Sequence, residues 1–269
     1  MTAVATRAVV RDEARIGFWS SALIVAWRGR VRTQRMPSIV VQSVFFPVFF
    51  MLVYTGLYAA ITDVPGFPTD DVVNWYLPFM IIQGAAFAGV GAGFETAADI
   101  DNGFFDRLLL MPGNRIAIMA GTVMQALIRA LIVGTVVAVL GVALGASPTD
   151  WLGIPFLILA AVSISIMGSL YSLALIYRIK DQRAAPLFPI GIFLLLFMSN
   201  AQVPLSVATG WLNAVGRINP MSNILRLSRQ GFLDTGVTWD HTWGGLVAIV
   251  VMTALLGLWA VRGLQRFNP

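Results

Sequence analysis

Residues 151–177, WLGIPFLILAAVSISIMGSLYSLALIY, run from Trp151 to Tyr177 without one charged side chain. The hydrocarbon core of a bilayer is roughly 30 Å thick and takes about 20 apolar residues to cross as a helix. This stretch is long enough. It lacks the two-residue alternation of a barrel strand. Lipid offers the backbone no hydrogen-bond partner, so a helix that satisfies its own amides is the form required.

Working outward, further apolar runs lie at Ile39 to Ile61, Tyr76 to Phe94, Ile116 to Gly145, Ala184 to Met198 and Trp243 to Val261. The run at 184–198 is short and holds Pro186 and Pro189, which predicts a bent or irregular cytoplasmic end. The expected fold is therefore an all-α integral membrane domain over 1–269, with six transmembrane helices. Composition agrees. Hydrophobic residues make up 58% of the chain and charged residues 12%, about half the charged share of a soluble domain. Too few charges remain to cover a water-facing surface, so much of the apolar surface must face lipid.

The basic residues orient the bundle. Arg7, Arg11, Arg15, Arg28, Arg30, Arg32 and Arg35 precede the first span, and Arg107 and Arg115 lie in the second loop. Arg178, Lys180 and Arg183 lie in the fourth loop, and Arg262 and Arg266 in the tail. The first and third loops carry Asp63, Asp70, Asp71 and Asp150 but no basic residue. The positive-inside rule then puts both termini and the even-numbered loops in the cytoplasm of a multi-pass protein of the cell membrane. The net charge of +5 is explained as topology signals in short blocks, so no nucleic-acid partner is implied. The first 35 residues have no early apolar stretch and predict no cleavable leader.

Residues 14–30 predict an amphipathic helix with Ile16, Trp19, Leu23 and Trp27 on one face and Arg15, Ser20, Arg28 and Arg30 elsewhere. Such a helix suits the inner membrane surface, in contact with lipid headgroups. The alternative is a cytoplasmic extension.

Catalytic chemistry has little to work with. His241 is the only His, Lys180 the only Lys, and there is no Cys. That excludes disulfides, thiol chemistry and two-His zinc sites, and no metal ligand set is assigned. Lys180 follows Ile179 and lacks the glycine of a phosphate-binding loop, so the chain is expected to bind no cofactor and to hydrolyse no ATP alone.

The second cytoplasmic loop, residues 98–115, contains Asp101-Asn102-Gly103-Phe104-Phe105-Asp106-Arg107-Leu108-Leu109, then Met111 and Pro112. Asp101 or Asn102 can cap a short helix and Pro112 can stop it. On that helix Phe104, Leu108 and Met111 share a side with Phe105 and Leu109. An apolar side facing the cytoplasm needs a cover, and either lipid headgroups or the groove of a partner protein can supply one.

The pattern Asp99-x-x-x-Gly103-x-x-Asp106-Arg107-Leu108-Leu109-x-x-Pro112-x-x-Arg115 resembles the loop between the second and third helices of ABC-2 type permeases, notably the daunorubicin-resistance class. A second likeness lies at Asn200 to Leu233, in Val203-Pro204, Gly210-Trp211-Leu212, Asn219-Pro220 and Arg226 to Arg229. With the N-terminal helix and the six-span layout, the resemblance covers nearly the whole chain. It implies that the loop is a coupling helix docking on a separate ATPase subunit, which binds ATP and Mg. It also implies a dimer with a second copy or a related permease, and export of an amphipathic drug, lipid or glycolipid-like cargo.

Residues 200–242 form a long connection that is too apolar for a free loop, with Ile218, Ile224, Leu225, Leu227 and Phe232 among its members. Re-entrant helices turning at Gly210 and Asn219-Pro220 would bury them, as would a small extracellular cap. In the family such helices close the outer end of the pathway, which marks Pro204, Trp211, Asn219, Pro220, Arg226 and Arg229. Glu95 ends the second span and Arg129 lies inside the third. Charges there are costly, so the two pair, or Arg129 reaches for the headgroups, or they serve a substrate or gating role; the structural readings are preferred. Two other readings remain: an ion-coupled secondary transporter, which calls for midplane acids or discontinuous repeated helices, and a membrane-embedded lipid-modifying enzyme, which calls for clustered polar catalytic groups.

Overall fold

The computed structural model describes residues 17–35, 37–65, 67–110, 113–205 and 207–267, with side chains at all of these except 35, 37–40 and 42. The described residues form helices and no strand. In chain order the helices are α1 (Phe18–Arg35), α2 (Pro37–Leu57), α3 (Val72–Asp101), α4 (Phe104–Leu109) and α5 (Arg115–Ala143). They continue with α6 (Ile154–Ile179), α7 (Leu187–Phe197), α8 (Gly210–Ile218), α9 (Pro220–Arg229) and α10 (Trp239–Gln265).

Side chains at the helix starts account for the boundaries. Asp71, Asn114 and Asn219 each accept a hydrogen bond from the amide two residues on, at 2.7–2.9 Å, and so cap α3, α5 and α9. Pro220 adds the fixed φ that suits a first helical position. At the other end of α6, Lys180 takes a left-handed conformation that stops the helix.

Four helical stretches are long and apolar enough to cross a membrane: Val72–Asp101, Arg115–Ala143, Trp151–Ile179 and Trp239–Gln265. Two shorter apolar stretches, Ser43–Leu57 and Gln182–Phe197, accompany them. The expected spans are lengthened at several ends. α3 runs to Asp101, so the first residues of the expected 98–115 loop are helical, and α10 begins at Trp239, which puts His241 in its first turn rather than in a loop. α7 is only 11 residues long and begins after Pro186, as the two prolines foreshadow.

α3 is the axis of the bundle. Tyr76, Phe79, Met80, Ile82, Ala85 and Ala86 are fully buried in it, because α2, α5, α6 and α7 surround it. Side-chain pairs fix the directions. Phe46–Phe87 and Tyr54–Tyr76 make α2 antiparallel to α3, and Phe188–Phe94 and Phe197–Phe79 do the same for α7. Gly89 against Ser165 and Gly93 against Ser172 make α6 parallel to α3. A Cβ at Gly89 would lie 2.3 Å from the Ser165 carbonyl oxygen, so that crossing exists only because the residue has no side chain. The outer faces of α5 and α10 leave Val139, Val142, Val250, Leu255 and Leu258 half or more exposed. A continuous apolar surface of that kind is stable in lipid and not in water.

Candidate functional site

Three groups of residues stand out along the bundle. The first is at the basic end, where α1, the end of α3 and α4 meet. α1 buries Ala22, Val25 and Ala26 and turns Trp19, Leu23, Ile24 and Trp27 outward. The buried face sits on α5, where a Cβ at Gly121 would meet the Ala22 carbonyl oxygen at 2.4 Å. Arg28 donates from Nη2 to both oxygens of Asp99 at 2.7 and 2.8 Å, and Arg32 donates from Nη1 at 3.3 Å. The Arg28 guanidinium also covers the Phe104 ring at 3.8 Å. Gly103 enters α4 at φ +67°, a turn that suits a residue without Cβ.

The apolar side of α4 faces inward. Phe105, Leu108 and Leu109 are buried. Phe105 stacks on Tyr177 with ring centroids 5.7 Å apart and meets Phe267 edge-on at 5.1 Å, which fastens α4 to the end of α6 and to the chain's C-terminal segment. Arg115 Nη1 donates to the Phe267 carbonyl at 3.1 Å and closes the same corner. The expectation that a partner or headgroups cover this side is thereby corrected: the bundle covers it, because the loop is short enough to fold back onto aromatic rings. What α4 and its entry turn present outward is Asp101, Asn102, Arg107 and Leu110, the last 79% exposed. Met111 and Pro112 lie outside the described residues.

The second group is inside the bundle. Arg129 crosses from α5 over Gly91 of α3, where a Cβ would come within 2.2 Å of its Nη1, and its Nη2 donates to Glu95 Oε1 at 2.5 Å. Both side chains are nearly buried. They form the polar end of a cleft of about 490 Å³ whose walls include Phe46 of α2, Phe87 and Phe94 of α3 and Phe193 of α7. Arg32 lines the same end.

The third group is at the opposite end. Arg229 is fully buried and donates to the carbonyls of Trp75, Asn200 and Ala201 at 3.2, 2.7 and 2.5 Å, with its guanidinium 3.6 Å from the centroid of the Trp75 ring. Burial draws its pKa down to about 9, still above neutrality, and the carbonyls and the indole face receive the charge. Asn219 donates from Nδ2 to the carbonyls of Leu195 and Met198, so the α8–α9 corner is hung from the end of α7.

A family model described as ABC-2 type transporter matches residues 21–233, most of the chain. The chain belongs to the ABC-2 type transporter family. It is similar to the daunorubicin resistance ABC transporter permease protein DrrB1 of Streptomyces coeruleorubidus, 28% identical over 225 residues that span 82% of this chain and 78% of the relative. It is also similar to the putative transport permease ycf38 of Pyropia yezoensis, 24% identical over 236 residues, 83% of this chain and 79% of the relative. The chain is thus a membrane subunit of an ABC transporter.

Within this ABC-2 type subunit the residues marked from sequence divide clearly. Glu95 and Arg129 come together, and Asn219, which caps α9 before Pro220, and Arg229, at its other end, each bind backbone carbonyls at or just beyond the end of α7. Pro204 is buried nearby, whereas Trp211 and Arg226 point away and are exposed. Asp106 and Arg107 stay on the outer side of α4 while Phe105, Leu108 and Leu109 turn in. Sequence reasoning missed the Arg28–Arg32–Asp99 cluster, since the arginines serve equally well as topology signals. It also missed the aromatic cleft, since its phenylalanines come from three separate helices with no shared spacing.

Proposed function

We propose that this chain is the permease of an ATP-driven exporter that moves an amphipathic drug, lipid or glycolipid-like cargo out of the cytoplasm or the inner leaflet. A separate ATPase subunit binds ATP and Mg, and two permeases, alike or related, pair in the cytoplasmic membrane with both termini inside. α2, α3, α5, α6, α7 and α10 are the six crossings, and α8 with α9 form the re-entrant pair at the outer end. α7 with the turn before it, Gln182–Phe197, reaches about 24 Å if wholly helical, which nearly matches a bilayer core. α2 and α7 antiparallel to α3, and α6 parallel to it, support the layout, and the drug-resistance relative supports the export reading.

The observation that carries the reading is the fastening of α4. A helix that transmits force must not slide, and α4 is held by the Phe105–Tyr177–Phe267 rings and by Arg28 on Phe104 and Asp99. The outward residues, Asp101, Asn102, Arg107 and Leu110, are then the ATPase contact, together with the part of Phe104 and Asp106 left accessible. The test is the double charge reversal Asp101→Arg with Arg107→Glu in a chain co-expressed with its ATPase. Capture through a tag on the ATPase and cargo-stimulated ATP hydrolysis should both fall, with thermal unfolding of the permease unchanged. Undiminished capture would remove α4 from the coupling role.

A further inference from the structure

We propose that the cleft between α2, α3 and α7 selects cargo with an anionic head, a phosphate- or carboxylate-bearing amphiphile, over cargo with a cationic one. The inference deepens the exporter reading by naming the cargo's chemistry. It is carried by the count of donors and acceptors at the cleft's polar end.

Arg32, Glu95 and Arg129 line that end, and a small adjoining cavity brings Arg28, Arg32, Glu95 and Asp99 into one group. Three guanidinium groups there face two carboxylates, which leaves one net positive charge. Asp99 accepts twice from Arg28 and once from Arg32, and Glu95 accepts from Arg129 through Oε1. The donors are not exhausted. Each guanidinium carries five N–H groups, and Arg129 Nε is buried without a hydrogen-bond partner although the side chain lines the cleft. A site with one net positive charge, and with donors that outnumber its acceptors, matches a head made of oxygen acceptors. A cationic head would meet the net positive charge at low dielectric, beside a Glu95 whose charge is already paired with Arg129.

The remainder of the cleft matches a tail. Phe46, Phe87 and Phe193 line it away from the arginines, with Phe87 5.0 Å from Phe193 and 6.1 Å from Phe46. Phe46 and Phe94 are 40% and 44% exposed, so the cleft is open at its side. An amphiphile entering sideways from the leaflet on the basic side would keep its head at the arginines and its tail toward the bilayer middle.

The test is equilibrium binding to the full chain in phosphatidylcholine nanodiscs without ATPase, corrected for partition into empty nanodiscs. The probes are dodecyl phosphate, dodecyltrimethylammonium and inorganic phosphate. Dodecyl phosphate should bind saturably and at least about tenfold more tightly than the cation, as expected for one charge-assisted hydrogen bond gained. Arg32→Gln should weaken it by about tenfold or more on the same ground, with Arg32→Lys recovering part. Phe94→Glu, at an exposed position on the cleft's rim, should weaken it as well without needing any arginine removed. Equal or tighter binding of the cation overturns the proposal, as does dodecyl phosphate binding indifferent to both Arg32→Gln and Phe94→Glu. Inorganic phosphate binding as tightly as dodecyl phosphate would make this a free-phosphate site and overturn the amphiphile. Because no ATPase is present, the outcome is independent of the capture experiment. Failure here with capture lost on charge reversal leaves the exporter standing with other cargo, and the converse result leaves an anion-selective cleft without the coupling role.

Discussion

Removing Arg129 alone should harm the fold more than removing it together with Glu95. The pair lies between α3 and α5 with side-chain exposures of 2% for Arg129 and 10% for Glu95. Arg129→Met strips a carboxylate of its hydrogen-bonded counter-charge in a low-dielectric place, which costs about 3–5 kcal/mol for a fully buried pair. The neighbouring cleft lets polar groups approach, so the lower figure, about 3 kcal/mol, applies. At about 2–4 °C per kcal/mol for a domain of this size, that is a loss of about 6–12 °C in Tm. Glu95→Gln strands the guanidinium but keeps an acceptor, and should cost about 2 kcal/mol. The double variant Glu95→Gln with Arg129→Met removes both charges and should lie within about 3 °C of the parent, because replacing a whole buried pair is near neutral. Thermal unfolding in nanodiscs, followed by tryptophan fluorescence, reads all four corners of the cycle. If the double variant loses the sum of the single losses, the two groups act independently and the pairing argument is wrong.

Arg229→Met should strand the carbonyls of Trp75, Asn200 and Ala201 at about 1–3 kcal/mol each when unsatisfied, seen as loss of monodisperse protein by size-exclusion chromatography. Arg229→Lys should rescue little of it, since one ammonium cannot match a planar fork aimed at three acceptors. Phe105→Ala empties the ring contact with Tyr177 and Phe267 and should cost about 3–5 kcal/mol of stability by thermal unfolding, the opposite of what an exposed contact residue would show. Gly89→Val places a branched side chain where the Ser165 backbone already lies, and should abolish folded expression, whereas Gly56→Val, with open space around it, should be tolerated.

The architecture was legible because the bilayer imposes a length and a polarity on anything that crosses it. The uncharged run at 151–177 and its neighbours had to be helices, and the four long ones are. The extent of α3 was not legible in the same way. Glu95 and Asp99 are out of place in a span by hydropathy, yet the helix continues through them since Arg129, Arg28 and Arg32 supply the counter-charges from other helices. Pairing between helices is invisible to a window that slides along one of them.

The α4 loop shows the same limit from the side of function. Phe105, Leu108 and Leu109 at helical spacing say that one side needs an apolar cover, and they say nothing about which surface provides it. Tyr177 and Phe267, 72 and 162 positions away, provide it here. An aromatic cover drawn from the chain itself changes what a partner can hold: under the proposed coupling role its contacts are to the outward Asp101, Asn102, Arg107 and Leu110, and the charged share of their strength falls as salt screens exposed charges. ATPase capture should therefore weaken between low and high ionic strength. A groove gripping buried apolar side chains would instead hold as firmly or more so, and salt-insensitive capture would return the contact to the apolar residues.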